Sequence, residues 1–401
     1  MNILFMSLAN YQTLYLHDLY SDLLRQFIKH GDDIYVISPF ERDGNEKEKI
    51  IFEKRDTIIR IKIWSMQKTN IIEKGISMLT IDHLYLKAIK KYFSNIKFDL
   101  ILYPTPPITL FKTIKYIKKR DAAKTYLLLK DIFPQNAVDI KMMSTKGIKG
   151  LLYKYFRKQE KKLYSISDYI GCMSQANVDY VINHNPEVNP AKIEVCPNTT
   201  DLIDMSCSKE DRKEIRTKYG IPQDKTVFIY GGNLGKPQDI SFVIKCLRKC
   251  QNIEDAYFLI IGDGTEFDRL KRFISEERPQ NVRLMQHLPK EDYDKIIGCF
   301  DVGLIFLDYR FTIPNFPSRL LSYMTAKLPV LACTDPNTDI GKIIIDGEFG
   351  WWCNSNDLKE FHECVKKAVE ADLKTMGEKE YQYLIDNYNV EISYKTIIRH
   401  F

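Results

Sequence analysis

Short apolar runs alternate with stretches of helical periodicity along the whole chain. Residues 2–8 form a run of Ile, Leu, Phe and Met with strand character. From 14 to 30 apolar residues recur every three or four positions, and the pattern stops at Gly31, a natural residue just past a helix end. Residues 33–38 read as a strand ended by Pro39, 57–64 alternate with period two, and 79–93 are amphipathic. Strand runs follow at 98–103, 124–130, 169–173 and 191–196, with helices up to 119, over 147–165 and over 175–184. The pattern then restarts. A helix over 209–219 leads to a strand at 227–230 and a glycine cluster at 231–235. Strands at 257–261, 282–286, 302–306, 329–333 and 350–353 are separated by helical residues, and the last thirty residues are helical. Strand–helix alternation of this kind predicts α/β architecture with parallel sheets covered on both faces. The restart near 200–206 predicts two such domains.

Composition agrees with that division. A chain of 401 residues is comfortable for two cores, and 44% hydrophobic with 12% aromatic residues is globular usage. No eighteen-residue apolar run and no basic-then-apolar leader is present, so neither a membrane span nor a signal peptide is expected. Nine cysteines without CxxC spacing read as buried free thiols in a reducing cytoplasm. Charge adds an asymmetry: residues 1–200 carry 31 Lys and Arg against 21 Asp and Glu, whereas the remainder carries 28 against 32. The excess is densest over 84–162, with 19 against 5. Such a Lys-, Tyr- and Phe-rich region suits an anionic membrane surface or plain solvation. Nucleic acid is not expected, because no binding motif accompanies the charge.

Three constellations carry candidate chemistry. Gly231-Gly232-Asn233-Leu234-Gly235, followed by Lys236, comes directly after a strand, a layout in which backbone N–H groups meet an anion or simply turn the chain. It fits neither a dinucleotide fingerprint nor a Walker loop. A second segment, 308–317, links the strand at 302–306 to a helix over 318–327; Asn315 or Ser318 is placed to cap that helix, and Pro317 suits its entry. Arg319 then sits in the first turn, where a cation opposes the helix dipole unless it shares an anion with the free N–H groups. Third, Asp131-Ile132-Phe133-Pro134-Gln135 follows a strand end, where a carboxylate orients a substrate hydroxyl or merely caps a turn; Pro104-Thr105-Pro106-Pro107 shapes the same rim.

With these residues in place, the chain resembles GT-B glycosyltransferases of retaining family 4, particularly bacterial enzymes of capsule and O-antigen synthesis. The resemblance runs through Asp131–Gln135 in number order, Pro197-Asn198-Thr199-Thr200-Asp201, Gly232 to Gly235, Gly262-Asp263-Gly264, Pro317-Ser318-Arg319-Leu320-Leu321-Ser322-Tyr323 and Pro329-Val330-Leu331-Ala332. It implies two Rossmann-like domains facing across a cleft: an acceptor domain over 1–203, a nucleotide-sugar domain over 204–380, and a final helix, 381–401, returning to the first. Gly232, Asn233, Gly235, Lys236, Gly262, Asp263, Asn315, Pro317, Ser318 and Ser322 would bind the donor, with Asp131 and Arg319 catalytic. One departure stands out. The family carries two glutamates eight positions apart around this segment, and here Pro314 and Ser322 occupy those positions.

The resemblance implies transfer of a sugar, of UDP-linked N-acetylhexosamine type, to a lipid-linked or saccharide acceptor, with retention of configuration. No metal or other cofactor is required if cations and N–H groups stabilise the departing diphosphate. The expected location is the cytoplasm, peripheral on the inner membrane face. Two alternatives remain open: a GT-B epimerase acting on UDP-sugars, for which only His17, His83, His184 and His287 are candidate histidines, and a non-catalytic subunit, favoured by the missing glutamates.

Overall fold

The structure, a computed structural model, describes residues 1–41, 47–63 and 71–401, and divides into two compact units. Trp64, the end of a predicted strand, lies outside the described residues. The first unit comprises Met1–Asp201 and Val390–Phe401. Its sheet contains β1 (Asn2–Met6), β2 (Asp33–Glu41), β3 (Lys49–Glu53), β4 (Asp56–Ile63), β5 (Leu100–Pro104), β6 (Lys124–Leu129), β7 (Tyr169–Cys172) and β8 (Ile193–Val195), in the order β3-β4-β2-β1-β5-β6-β7-β8. All neighbours are parallel except β3, which pairs antiparallel with β4 at the sheet edge. Strands β1, β5 and β6 are buried along almost their whole length, which is why they appear as unbroken apolar runs. The direction of strand addition reverses between β1 and β5, so ligands of this sheet belong at the carboxyl ends there.

The first helix starts at Leu19, five residues later than the periodicity suggests. Asp18 accepts the N–H groups of Tyr20 and Ser21, and Ser21 closes a reciprocal cap; a capped start outweighs apolar spacing. Arg25 holds the preceding segment non-helical by donating to the carbonyls of Leu14 and Leu16, at 2.5 and 2.9 Å.

The second unit is Leu202–Asn389. It contains β9 (Thr226–Asn233), β10 (Ala256–Asp263), β11 (Val282–Gln286), β12 (Val302–Phe306), β13 (Val330–Thr334) and β14 (Gly350–Asn354), ordered β11-β10-β9-β12-β13-β14 and all parallel. Read in chain order this is 3-2-1-4-5-6, the dinucleotide-fold order, with its reversal between β9 and β12. A core of Phe228, Tyr230, Phe258, Leu304, Leu331 and Phe361 fills the sheet–helix interface.

Residues 381–389 differ from the sequence reading. Residues 381–387 complete the helix Leu373–Asn387, which packs on the helix Arg319–Thr325, and 388–389 still belong to the second unit. The segment that rejoins the first unit is shorter: Val390 donates to the Thr200 carbonyl at 3.0 Å, and Tyr394 packs edge-on against Phe27 and stacks on His30.

Candidate functional site

The second unit's candidate site lies where β9 and β12 part. The glycine cluster is not a turn into a helix. β9 continues through Asn233, and Gly231, Gly232 and Asn233 pair in register with Ile261, Gly262 and Asp263 of β10. This closeness explains the glycines. A Cβ on Gly262 would stand 2.0 Å from the Gly232 carbonyl oxygen, and Gly232 itself has φ +124, a conformation that side chains rarely adopt. The expected N–H cradle is correspondingly smaller. Leu234 gives its N–H to the Asp263 carbonyl at 2.6 Å, and Gly235, buried, gives its N–H to Gln238 Oε1 at 3.1 Å. Lys236 is exposed in a short 3-10 turn, and the following helix, Ile240–Lys249, is capped by Asp239.

Arg319 opens the helix Arg319–Thr325. Ser318 stands at the cap position but makes no side-chain cap bond, and the backbone carbonyl of Asn315 accepts from Thr338 Oγ1 at 2.6 Å. The helix is held by Tyr323, whose hydroxyl lies 3.2 Å from the Ile229 carbonyl and 3.0 Å from that of Leu304, joining β9 to β12 at the point of reversal. With the helix fixed, the Arg319 guanidinium stacks on Tyr230, its central carbon 4.1 Å from the ring centroid. Nη2 faces Gly232, where an added Cβ would come to 3.1 Å. Nη1 is buried without a hydrogen-bond partner. Among the described residues, no carboxylate pairs with this cation. Burying an uncompensated charge is expensive unless a ligand completes it, so the geometry calls for an anion.

A pocket of about 280 Å³ opens beside the guanidinium, lined by Gly231, Gly232, Ile261, His287, Leu288, Lys290, Tyr293, Arg319, Ser322 and Tyr323. Thus Gly232, Arg319 and Ser322 come together as the sequence suggests. Asn233 and Asp263 are exposed at the strand ends, and Asn233, Gly235, Lys236, Gly262, Asp263, Asn315, Pro317 and Ser318 are not among the lining residues. Sequence reasoning missed Tyr230, Tyr293 and Tyr323: a tyrosine in an apolar strand or helix run reads as core, and Tyr293, between Asp292 and Asp294, reads as part of a surface helix start. Gly231 offers a signal after the fact: a Cβ there would lie 2.1 Å from the Tyr293 hydroxyl.

In the first unit, Asp131 follows β6 at the carboxyl edge. Thr105 Oγ1 accepts the N–H groups of Lys130 and Asp131, both at 3.1 Å, and lies 2.9 Å from the Asp131 carbonyl, tying the β5 and β6 ends together. Asn136 donates to Asp131 Oδ1 at 2.6 Å. Burial pushes the Asp131 carboxyl up to about 6, against the bonds from Asn136 and the Ile132 N–H.

The segment 197–201 proves to be a brace. Asp22 Oδ2 accepts from Thr200 Oγ1 at 3.1 Å, from the Asp201 N–H at 3.0 Å and from His17 at 2.8 Å, while Arg25 bridges Asp22 and Asp201. His17, Asp22 and Asp201 form the one metal-compatible cluster among the described residues, but the Arg25 cation already satisfies both carboxylates.

The helix Gly147–Ile166 carries much of the basic excess. It exposes Leu151, Leu152 and Tyr155 beside a groove of Tyr153, Lys154, Arg157, Lys158, Lys161 and Lys162. Arg157 and Lys161 pair with Glu160 and Glu187, Lys162 lies over the Phe111 ring, and Lys154 and Lys158 are exposed. No described helix is long and apolar enough to cross a membrane.

Comparison with known proteins fits this geometry. Residues 211–388 match the family described as glycosyl transferases group 1. The chain is 26% identical over 331 residues to the probable glycosyltransferase WbjE of Pseudomonas aeruginosa, covering 81% of this chain and 79% of that protein. It is 20% identical over 270 residues to the putative colanic acid biosynthesis glycosyl transferase WcaI of Escherichia coli, covering 65% of each. Among solved structures, Anabaena HepE in complex with UDP and glucose superposes with a TM-score of 0.71 at 14% identity, over 100% of this chain and 99% of that one. The fold is GT-B.

Proposed function

We propose that this glycosyltransferase moves a sugar from a nucleoside diphosphate sugar, of UDP-linked N-acetylhexosamine type, to a lipid-linked saccharide in surface polysaccharide synthesis, with retention of configuration. The observation that carries the reading is Arg319: a cation with a buried, unpartnered Nη1, set against Gly232 at the mouth of a mostly apolar pocket. The pocket takes the nucleoside, and the diphosphate sits on the guanidinium. The crystallised neighbour named with UDP and glucose supports a nucleotide-sugar donor.

Breaking the anomeric C–O bond places charge on the departing diphosphate. Arg319 meets that charge from a fixed position, so no reorganisation is needed as it develops. The acceptor hydroxyl then attacks from the face the diphosphate leaves, giving up its proton to the phosphate. Asp131 orients the acceptor in the first unit. A panel of nucleotide sugars with a lipid-diphosphate-linked saccharide tests this: the expected product keeps the donor's anomeric configuration by NMR, and an inverted product contradicts the mechanism. Isomerisation of donor without acceptor would favour the epimerase reading instead.

The raised carboxyl of Asp131 gives a pH signature. A carboxyl whose folded pKa exceeds its unfolded value favours the protonated form, so its contribution to stability is present in acid and is lost as pH rises through about 6. The ionised form, which orients the acceptor by taking a hydrogen bond from its hydroxyl, predominates only above that value. Acceptor kcat/KM is therefore expected to rise with a midpoint near 6. Asp131→Asn should lower it about tenfold or more and flatten this limb; an unaltered limb would remove Asp131 from the mechanism.

The exposed Leu151, Leu152 and Tyr155 amid the lysines of Gly147–Ile166 support docking on anionic lipid, where the acceptor's carrier resides. Flotation with phosphatidylglycerol vesicles should carry the protein upward at low salt and fail at high salt. Absence of binding at low salt would end the membrane reading.

A further inference from the structure

We infer that the donor site barely distinguishes ribose from 2′-deoxyribose, so that 2′-deoxyribonucleoside diphosphate sugars serve as donors beside their ribonucleoside counterparts. This rests on the placement of the nucleotide in the pocket beside Arg319. The polar side chains lining that pocket are His287, Lys290, Tyr293, Arg319, Ser322 and Tyr323. None of the described lining residues carries a carboxylate. The Lys290 ammonium is paired with Asp294, and the Tyr323 hydroxyl is turned to the carbonyls of Ile229 and Leu304. Asp263, exposed at the end of β10, lies outside the lining.

A furanose diol is a pair of proton donors. A carboxylate receives such a pair in short, charge-assisted bonds about twice as strong as neutral ones, and whichever wall the ribose faces here, it meets only neutral or cationic groups. The helix narrows the choice. Arg319 and Ser322 stand three residues apart, hence on one face, and both line the pocket. In a nucleotide the ribose adjoins the α-phosphate. Giving Arg319 to the diphosphate leaves Ser322, on the same helix face, to meet the ribose edge. A half-exposed serine hydroxyl can turn to water when the 2′-hydroxyl is absent. No buried polar group is then stranded, which is the circumstance that makes loss of a substrate hydroxyl costly. A single neutral hydrogen bond leaves a preference of about two- to tenfold for ribose.

Calorimetric titration of the full chain with UDP and dUDP, GDP and dGDP, ADP and dADP, and CDP and dCDP tests this. For the base that binds, the deoxy form is expected within about tenfold of the ribo form, and a larger loss overturns the inference. Binding of none of the eight, or binding that survives Arg319→Ala undiminished, overturns the underlying donor-site reading as well, so the two failures are distinguishable. Ser322→Glu is the second measurement. It should raise the ribo-to-deoxy preference by roughly tenfold or more as the carboxylate meets the diol, and an unchanged ratio removes Ser322 from the ribose edge.

Discussion

Arg319→Ala is expected to weaken nucleoside diphosphate binding by at least about a hundredfold and to lower turnover by roughly 10²–10³. The guanidinium is the pocket's one side chain with a buried donor lacking a partner, among the described residues. Two charge-assisted hydrogen bonds to phosphate account for a loss of that size. Folding should not suffer in parallel. The variant removes a buried cation that no carboxylate balances, and such removal is commonly neutral or stabilising, so the melting temperature of the ligand-free protein should stay level or rise. Arg319→Lys keeps the charge but loses the flat fork that stacks on Tyr230 and spans two oxygens. It should fall between wild type and alanine. Calorimetry and thermal melts on the three proteins separate a binding defect from misfolding; a melting temperature that falls together with affinity would recast Arg319 as structural.

Gly262→Ala should be the most destabilising of the glycine substitutions near the site. Its Cβ would meet the Gly232 carbonyl at 2.0 Å, and that oxygen belongs to the backbone of a paired strand rather than to a mobile side chain. Relief requires β9 and β10 to separate where they carry Gly232 beneath Arg319. A cost of about 3 kcal/mol follows, read as a drop in melting temperature of roughly 5–10 °C, with donor affinity falling too. Gly235→Ala provides the contrast. There the nearest atom is Nδ2 of Asn233, at 2.8 Å, the end of an exposed side chain that can swing away. Its cost should stay below about 1 kcal/mol. Equal destabilisation by the two would contradict the packing just described.

The fold was legible wherever burial decides residue type. Strands β5, β6, β12 and β13 are buried at every or nearly every position and so appear as unbroken apolar runs. β3 escaped notice because, at the edge, Lys49, Ile50 and Phe52 are exposed and no alternation distinguishes them. The first helix was overextended because Leu14 is buried without being helical. In the second unit, Gly231-Gly232 read as a turn, since glycine usually breaks strands. Here the sheet needs it, to admit the Tyr293 hydroxyl and to let β9 and β10 approach.

The candidate site was legible in outline only. Arg319 declared itself by being a cation at a helix start, and Asp131 by following a strand end. The N–H cradle did not materialise as drawn, because the Asp263 backbone carbonyl takes the N–H of Leu234 and the Gln238 side chain takes that of Gly235, the first a consequence of β9 pairing with β10 beyond the glycines. Similarly, Pro197-Asn198-Thr199-Thr200-Asp201 entered only as a segment of the resemblance, and in the structure it is a brace to Asp22 and Arg25, residues almost two hundred positions away. Contacts of that separation leave no local trace in the chain.

A crystal structure of the protein soaked with the nucleoside diphosphate that binds best tests the donor site most directly. The diphosphate is expected within hydrogen-bonding distance of Arg319 Nη1, with the nucleoside in the pocket bounded by His287, Tyr293 and Ser322. A diphosphate bound elsewhere, with Arg319 Nη1 still lacking a partner, would contradict the account.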